Sequence, residues 1–145
     1  MPFLSLTRLH LRAWYHLPRF MLHASRSSRQ ARSARGFIAG ALSADVRHLT
    51  FWTATLWENE PAMRAFQVSG AHKQAMPKLG ALCDEASVVH IDRAQEQLPS
   101  GEEAVELMRR NGRISRLTRP SPAHAAGNTV PGGRPPRFAA LPASS

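Results

Sequence analysis

One of the seven histidines, His72, has a side chain and a position that suit acid–base chemistry. It falls at the start of a predicted helix, on the face that also carries Ala75, Met76, Leu79 and Cys83. Its imidazole titrates near neutral pH, so it can take a proton from a phenolic substrate or ligate haem iron. A hydrogen bond to a neighbouring backbone group is the competing interpretation, because buried polar side chains are usually paired in this way.

Large aromatic side chains are the second group of candidate functional residues. Trp14, Trp52, Trp57 and Phe66 can line an apolar pocket and stack on a planar substrate, and we predict all four as substrate-binding residues. Large aromatic residues also fill the core or a subunit interface in small domains, and that interpretation stays open for the tryptophans.

A strand of alternating cations supplies the last candidate. Arg8, His10 and Arg12 share one face of the predicted first strand, and we predict that Arg12 contacts the substrate. Positive charge there would stabilise a substrate anion. A solvated strand face, or ion pairs between subunits, would account for the same pattern.

The sequence lacks the motifs of several other classes of enzyme and binding site. The remaining histidines show no metal-ligand spacing such as His-x-x-x-His; they are His10, His16, His23, His48, His90 and His124. The sequence contains no Gly-rich phosphate loop and no Gly-x-Ser-x-Gly, and Cys83 is its one cysteine. We therefore predict no metal site, no nucleotide-dependent reaction and no serine hydrolase.

The charge of the chain is strongly positive but unevenly spread. The formal net charge is +9, and residues 1–50 hold eight of the 19 basic residues with one acid, Asp45. Arg19, Arg26 and Arg29 lie on one side of a predicted helix, which we interpret as a solvated face because no aromatic residue interleaves them. Nucleic acid is therefore not the predicted partner.

The N-terminus has no secretory signal pattern, and no segment approaches the ~20 apolar residues of a membrane span. With a single cysteine, this predicts a cytoplasmic location.

The periodicity of the chain predicts a strand–helix–strand–strand–helix–strand order. Strands are predicted at 5–14, 37–43, 48–57 and 87–91, one helix at 18–34, and two helical segments between the last two strands, the first capped by Asn59 and the second starting at His72. This is the ferredoxin-like βαββαβ arrangement, an α+β fold with a four-stranded antiparallel sheet. The third strand is apolar on both faces, so it must be covered on both sides. The predicted helices cover one face, and the other cover has to come from elsewhere.

The chain divides into three predicted parts. Residues 1–93 form the folded domain, and residues 94–116 form a linker with an appended helix that Ser100 caps. Residues 117–145 are rich in Pro, Gly, Ser and Ala without apolar periodicity, and we predict that this tail is disordered.

The segment TFWTATLWENEPAMRAFQVSGAHKQAMPKL resembles the dimeric α/β-barrel superfamily, and in it the antibiotic-biosynthesis-monooxygenase-like and spheroidene-monooxygenase-like group. The similarity covers about residues 6–91. It implies a homodimer in which two four-stranded sheets pack face to face, which would cover the second face of the third strand. In haem-binding relatives, a histidine at the place of His72 is the axial ligand. The haem degraders pair it with a tryptophan, where this chain has Phe66.

The resemblance implies a monooxygenase that binds a small apolar aromatic or polyene substrate, with His72 as its catalytic residue and either no cofactor or haem. Two alternatives stay open at this point. One is a haem-binding protein that uses His72 as the iron ligand, and the other is a non-catalytic ligand-binding or structural dimer.

Overall fold

The computed structural model describes residues 1–141. Its elements in chain order are β1 (Phe3–Leu11), α1 (Leu17–Arg32), β2 (Phe37–Asp45), β3 (Thr50–Trp57), α2 (Glu60–Gln67), α3 (Gly70–Leu82), β4 (Cys83–Asp92), α4 (Gly101–Asn111), β5 (Arg113–Ile114), α5 (Pro122–Ala125) and β6 (Ala139–Ala140). Two 3-10 turns, Trp14–His16 and Val46–His48, precede α1 and β3.

All neighbouring strands of the sheet are antiparallel, and their order is β5-β4-β1-β3-β2-β6. The central order β4-β1-β3-β2 is that of the predicted ferredoxin-like βαββαβ unit. The predicted strand number is wrong, because the sheet has six strands. The outer strands of a four-stranded sheet leave unpaired N–H and C=O groups at its edges. Here the two-residue strands β5 and β6 pair with those edges.

Local signals in the sequence explain where the two capped helices start. The Asn59 side chain accepts a hydrogen bond from the Ala62 N–H (2.9 Å), and the Ser100 hydroxyl accepts one from the Glu103 N–H (3.1 Å). Each bond satisfies a backbone donor that the first turn of a helix leaves free. Both caps are those that the sequence predicts.

Three helices cover one face of the sheet, which we call the helix face. Phe20 of α1 and Leu79 of α3 are buried there against Phe51 of β3. Met63 and Phe66 of α2 are buried nearby in a second apolar cluster. The side chains of the odd-numbered residues of β3 therefore lie on the helix face.

The opposite face of the sheet is covered by the chain itself. Ala104, Val105 and Met108 of α4 are buried in one cluster with Leu6, Trp52, Ala54 and Val89 of the sheet, and Val130 completes the cluster. The sequence correctly indicates that β3 is covered on both sides, but the second cover is α4 and the following segment. The apolar strand is thus no argument for a second subunit. The interpretation of α4 as an appendage is also wrong, because Met108 is fully buried.

The segment after α4 is ordered over the residues that the structure describes. The Ser87 hydroxyl donates to the Thr129 carbonyl oxygen (2.7 Å), and the Arg137 N–H donates to the Ser43 hydroxyl (3.0 Å). These bonds tie the segment to β4 and to β2. The prediction of disorder is therefore wrong for residues 117–141, because polar groups of the strands hold a segment that has little apolar surface of its own. Residues 142–145 of the predicted tail lie outside the described residues.

Among residues 1–141, no helix combines the length and the apolar character that crossing a bilayer requires.

Candidate functional site

A cavity of about 210 Å³ lies on the helix face, between the sheet and helices α1, α2 and α3. Small side chains of α1 make room for it, because Ala24, Ser27, Ser28 and Ala31 face the sheet where larger residues would fill the space. The volume lies below the roughly 300–1,000 Å³ of common ligand pockets. It suits a compact molecule of one or two rings.

Four hydroxyl side chains form the floor of the cavity. Ser5 and Thr7 of β1 lie directly opposite Thr55 and Thr53 of β3, and all four line the cavity. Our sequence reasoning missed them. The sequence does contain a signal for them, since hydroxyl residues at alternate positions of a strand fall on one face. Only the strand register shows that the two pairs lie opposite each other.

The wall above the floor is aromatic and contains two of the predicted residues. The ring of Phe66 lies 4.5 Å from the ring of His72, centroid to centroid, and both line the cavity. Trp57 stacks behind Phe66 at 5.1 Å, and its indole N–H donates to the Thr55 hydroxyl (2.9 Å). Trp57 is fully buried and supports the wall from behind.

Hydrogen bonds from two directions hold His72. Its backbone N–H donates to Gln30 Oε1 of α1 (2.7 Å), and its ring Nδ1 lies 3.2 Å from the Gln67 carbonyl oxygen. The Gln30 amide also donates to the Ser69 carbonyl oxygen (2.8 Å). Gly70 joins α2 to α3 at φ 54°, a conformation that suits glycine. Gln30 therefore fixes the junction that positions His72.

The protonation state of His72 follows from these contacts. Burial lowers the pKa of His72, and the hydrogen bond to the Gln67 carbonyl offsets this only in part. The neutral ring donates from Nδ1 to that carbonyl, so Nε2 carries the lone pair. In the described part of the chain, no group is hydrogen bonded to Nε2. His72 is therefore a neutral base with a free acceptor nitrogen beside the cavity.

A second histidine, His90 of β4, also lines the cavity and was missed by sequence reasoning. Its Nδ1 lies 3.3 Å from the Arg113 guanidinium, and its Nε2 lies 3.2 Å from the Gln67 side-chain amide. Burial lowers the pKa of His90, and the positive charges of Arg113 and Arg64 lower it further. Because Arg113 can only donate, it engages the lone pair of His90. Of the two histidines, His72 is the better placed to accept a proton.

The structure does not bring the other three predicted residues to this cavity. Trp14 is 75% exposed in the turn before α1, and Trp52 is buried on the opposite face of the sheet. Arg12 follows β1 and donates to the Ala81 carbonyl oxygen (3.1 Å). Alternation along a strand assigns residues to a face, and it does not say which face borders a cavity.

A larger cleft of about 1160 Å³ lies on the opposite face, beside α4. Arg8 donates to Glu85 there (2.8 Å), and both are buried. Burial alone would raise the pKa of Glu85, but hydrogen bonds from Arg8 and Ser121 lower it overall. His10 Nδ1 lies 2.5 Å from Asp84 Oδ1, within hydrogen-bond distance.

His10, Asp84 and Glu85 place their ligand atoms within 4.8 Å of one another, as a metal site would. However, Arg8 and Ser121 already engage Glu85, and the Arg8 cation disfavours a metal ion beside it. The arrangement is a hydrogen-bonded network around the Arg8–Glu85 ion pair.

The cavity does not fit the haem that the resemblance suggests as a cofactor. His72 offers a free nitrogen, but about 210 Å³ is too small for a porphyrin with its propionates. Arg116 is the one Arg or Lys among the described residues that line the cavity, so the second propionate would lack a partner. The residues that line this cavity therefore do not fit haem.

Solved structures share the fold of this chain. SnoaB, a cofactor-independent oxygenase from Streptomyces nogalater, superposes with a TM-score of 0.54 at 14% identity, over 65% of this chain and 94% of that protein. An antibiotic biosynthesis monooxygenase gives 0.57 at 13% identity, over 64% and 99%. A Lactobacillus acidophilus protein gives 0.55 at 10% identity over 62% of this chain, and the chain spans 43% of its length.

These similarities confirm the predicted α+β core, which this chain shares with antibiotic-biosynthesis-monooxygenase-like structures. At such low identity they carry the fold alone. No family model matches the sequence, and no curated protein matches it.

Proposed function

We propose that this protein is a monooxygenase that needs no cofactor and acts on a small apolar aromatic or polyene substrate with an ionisable oxygen. The observation that carries the proposal is the free Nε2 of a neutral His72 beside a largely apolar cavity with a hydroxyl floor. SnoaB, which shares the fold, is a cofactor-independent oxygenase, and this similarity supports the same reaction class.

His72 starts the proposed reaction by removing a proton from the bound substrate. Hydroxyl groups of the floor, such as those of Thr7 and Thr53, donate to the substrate oxygen and stabilise the resulting anion. The proton comes from the hydroxyl group of a hydroxyarene, and the resulting anion reduces O₂ through a ring carbon ortho or para to that oxygen. One oxygen atom bonds to this carbon, its C–H bond breaks, and both this carbon and the hydroxyl-bearing carbon become C=O groups of a quinone. The second oxygen atom leaves as water with the two hydrogen atoms, one from the C–H and one from the O–H group.

The volume of the cavity restricts the substrate. Phe66 and the small residues of α1 leave a space that suits one or two rings. The proposal therefore favours compact hydroxyarenes and quinols over long polyenes or extended polycycles.

Oxygen consumption tests the proposed reaction directly. We expect purified protein with a metal chelator to consume O₂ in the presence of a one- or two-ring hydroxyarene or quinol. With isotopically labelled O₂, one labelled atom should enter the product. Binding of such compounds without oxygen consumption, across a broad panel, would contradict the proposal and favour the non-catalytic ligand-binding protein.

The homodimer implied by the resemblance remains a prediction. The second apolar face of β3 no longer supports it, because α4 covers that face. A second sheet packed face to face would have to displace α4 from Trp52 and Val89. Sedimentation velocity at micromolar concentration checks the prediction, which expects two chains per particle. A single chain would show that α4 and the following segment have replaced the partner subunit.

A further inference from the structure

Two large aromatic side chains stand on the surface just before α1. Trp14 is 75% exposed and Tyr15 is 61% exposed, and their rings meet edge to face with centroids 6.0 Å apart. The exposed side of the first turns of α1 continues this apolar surface. We call it the Trp14 surface, and it comprises Trp14, Tyr15, Pro18, Met21 and Leu22.

Helix α1 is therefore apolar on two sides. Phe20 and Ala31 are buried toward the sheet, as a core-facing stripe requires. Met21 and Leu22 point outward and are 44% and 49% exposed. The core does not need this second group of apolar side chains.

The outer apolar side chains of α1 are confined to its N-terminal half. Pro18 and Leu22 are four residues apart and fall on the same side of the helix, with Met21 at the margin of that side. Ser25, the next residue along this line, is exposed and polar. The exposed apolar side chains of the helix therefore belong to its first turns, which follow Trp14 and Tyr15 directly in the chain.

Positive charge borders the Trp14 surface without any acidic residue nearby in sequence. Arg19, Arg26 and Arg29 are exposed on α1. Residues 12–35 contain six arginines, and α3, which packs against α1, contains two lysines. None of the ten acidic residues lies in residues 12–35 or in α3. Residues 12–35 and α3 thus carry eight cations and no acidic residue, together with the apolar patch.

We propose that the Trp14 surface docks this protein on an anionic phospholipid bilayer. Trp and Tyr rings favour the interface of a membrane, where their apolar bodies enter lipid and their polar groups stay hydrated. Met21 and Leu22 would enter the boundary between headgroups and acyl chains, and the neighbouring arginines would contact phosphates.

A nucleic acid fits the same surface less well. Its phosphates would pair with the arginines, but Met21 and Leu22 would then face charged phosphates or water, where apolar side chains gain nothing from burial. A bilayer satisfies both groups at once, because its headgroup phosphates lie directly above the acyl chains.

The position of this surface connects it to the cavity. Phe20 and Ala24 of α1 line the cavity from its inner side, and Met76 of α3 both lines it and is 48% exposed. A docked molecule would hold the cavity near lipid, where an apolar substrate concentrates. This delivery role rests on the proposed function, whereas the docking does not.

Tryptophan fluorescence measures the docking without any substrate. The other two tryptophans, Trp52 and Trp57, are 2% and 0% exposed, so Trp14 reports changes at the surface. We expect a blue shift with vesicles of phosphatidylcholine mixed with phosphatidylglycerol and none with phosphatidylcholine alone. The shift should disappear in Trp14→Phe, which keeps an apolar ring but removes the reporter. An unchanged spectrum with the anionic vesicles would overturn the proposal.

Vesicle co-sedimentation distinguishes the effect of the arginines beside the Trp14 surface on membrane binding from the effect of the total positive charge. The triple variant Arg19→Gln, Arg26→Gln, Arg29→Gln should bind anionic vesicles on the order of a hundredfold more weakly, at about fivefold per cation. The matched control, Arg47→Gln, Arg110→Gln, Arg119→Gln, removes the same charge from other exposed positions and should bind like the wild type. Equal weakening of both variants, or tighter binding to duplex DNA than to the vesicles, would overturn the proposal.

Discussion

Replacing His72 with glutamine should lower kcat for oxygen consumption by about 10²- to 10⁴-fold, the usual contribution of a general base. Glutamine is polar and similar in reach, but it cannot take the proton. Substrate affinity should change little, because Phe66 and the floor hydroxyls remain in place. Steady-state kinetics with an oxygen electrode, together with a separate binding titration, would measure the two effects.

His23→Gln is the matched control, because His23 lies on α1 outside the residues that line the cavity. It should leave kcat within a few fold of the wild type. A normal kcat in His72→Gln would remove His72 as the base and turn attention to His90.

The pH profile gives an independent signature of the same residue. Burial lowers the pKa of His72 below the ordinary histidine value of 6.5, so the base is already neutral at pH 7. We expect kcat/KM to be level through the neutral range and to fall only below pH 6.5, as His72 gains a proton. That acidic decline should be absent from the residual activity of His72→Gln, and its persistence there would assign it to another group.

The lowered pKa of His72 also affects stability. Below pH 6.5 the unfolded chain binds a proton that the folded chain resists, so the free energy of unfolding falls as the pH decreases. The loss continues until the pH passes below the folded-state pKa. Acid inactivation by unfolding must therefore be separated from the kinetic effect by monitoring circular dichroism at each pH.

The second large effect concerns α4. Met108→Ala should lower the free energy of unfolding by about 2–5 kcal/mol, as core truncations of this size do. Met108 is fully buried in the cluster that contains Leu6, Trp52 and Val89, so its loss leaves a cavity against the sheet. An appended helix that packed on nothing would lose no more than about 0.5 kcal/mol. Urea unfolding followed by fluorescence is a sensitive measure, since Trp52 belongs to the same cluster.

Met21→Ala provides the matched control, because the same atoms are removed from a methionine that is 44% exposed. It should shift the unfolding midpoint far less. Equal midpoints for Met108→Ala and the wild type would show that α4 does not cover the sheet in solution.

Much of the central architecture can be predicted from local patterns. Alternation along β1 and β3, the caps at Asn59 and Ser100, and helical spacing from His72 identify the βαββαβ order, because period and capping are local properties. His72 and Phe66 lie near one another because they belong to consecutive helices joined by a short turn. Their proximity therefore depends on few residues.

Features that depend on pairing between distant segments were not predictable in the same way. Ser5 and Thr7 meet Thr55 and Thr53 only through strand register. Trp14 has the large aromatic side chain that is typical of pockets. It nevertheless lies on the surface, because β1 ends before it. Composition also predicted disorder from residue 117 onward, whereas the Ser43 hydroxyl accepts a hydrogen bond from this segment and the Ser87 hydroxyl donates one to it.

The sequence by itself determined that β3 has two apolar faces, that both must be covered, and that His72 falls in the first turn of a helix. Only the tertiary structure decided that α4 supplies the second cover, that His72 keeps a free Nε2, and that Trp14 faces solvent. The physical reason is that alternation and helical period report the environment of a residue. The partner that provides this environment is chosen by contacts between segments far apart in the chain.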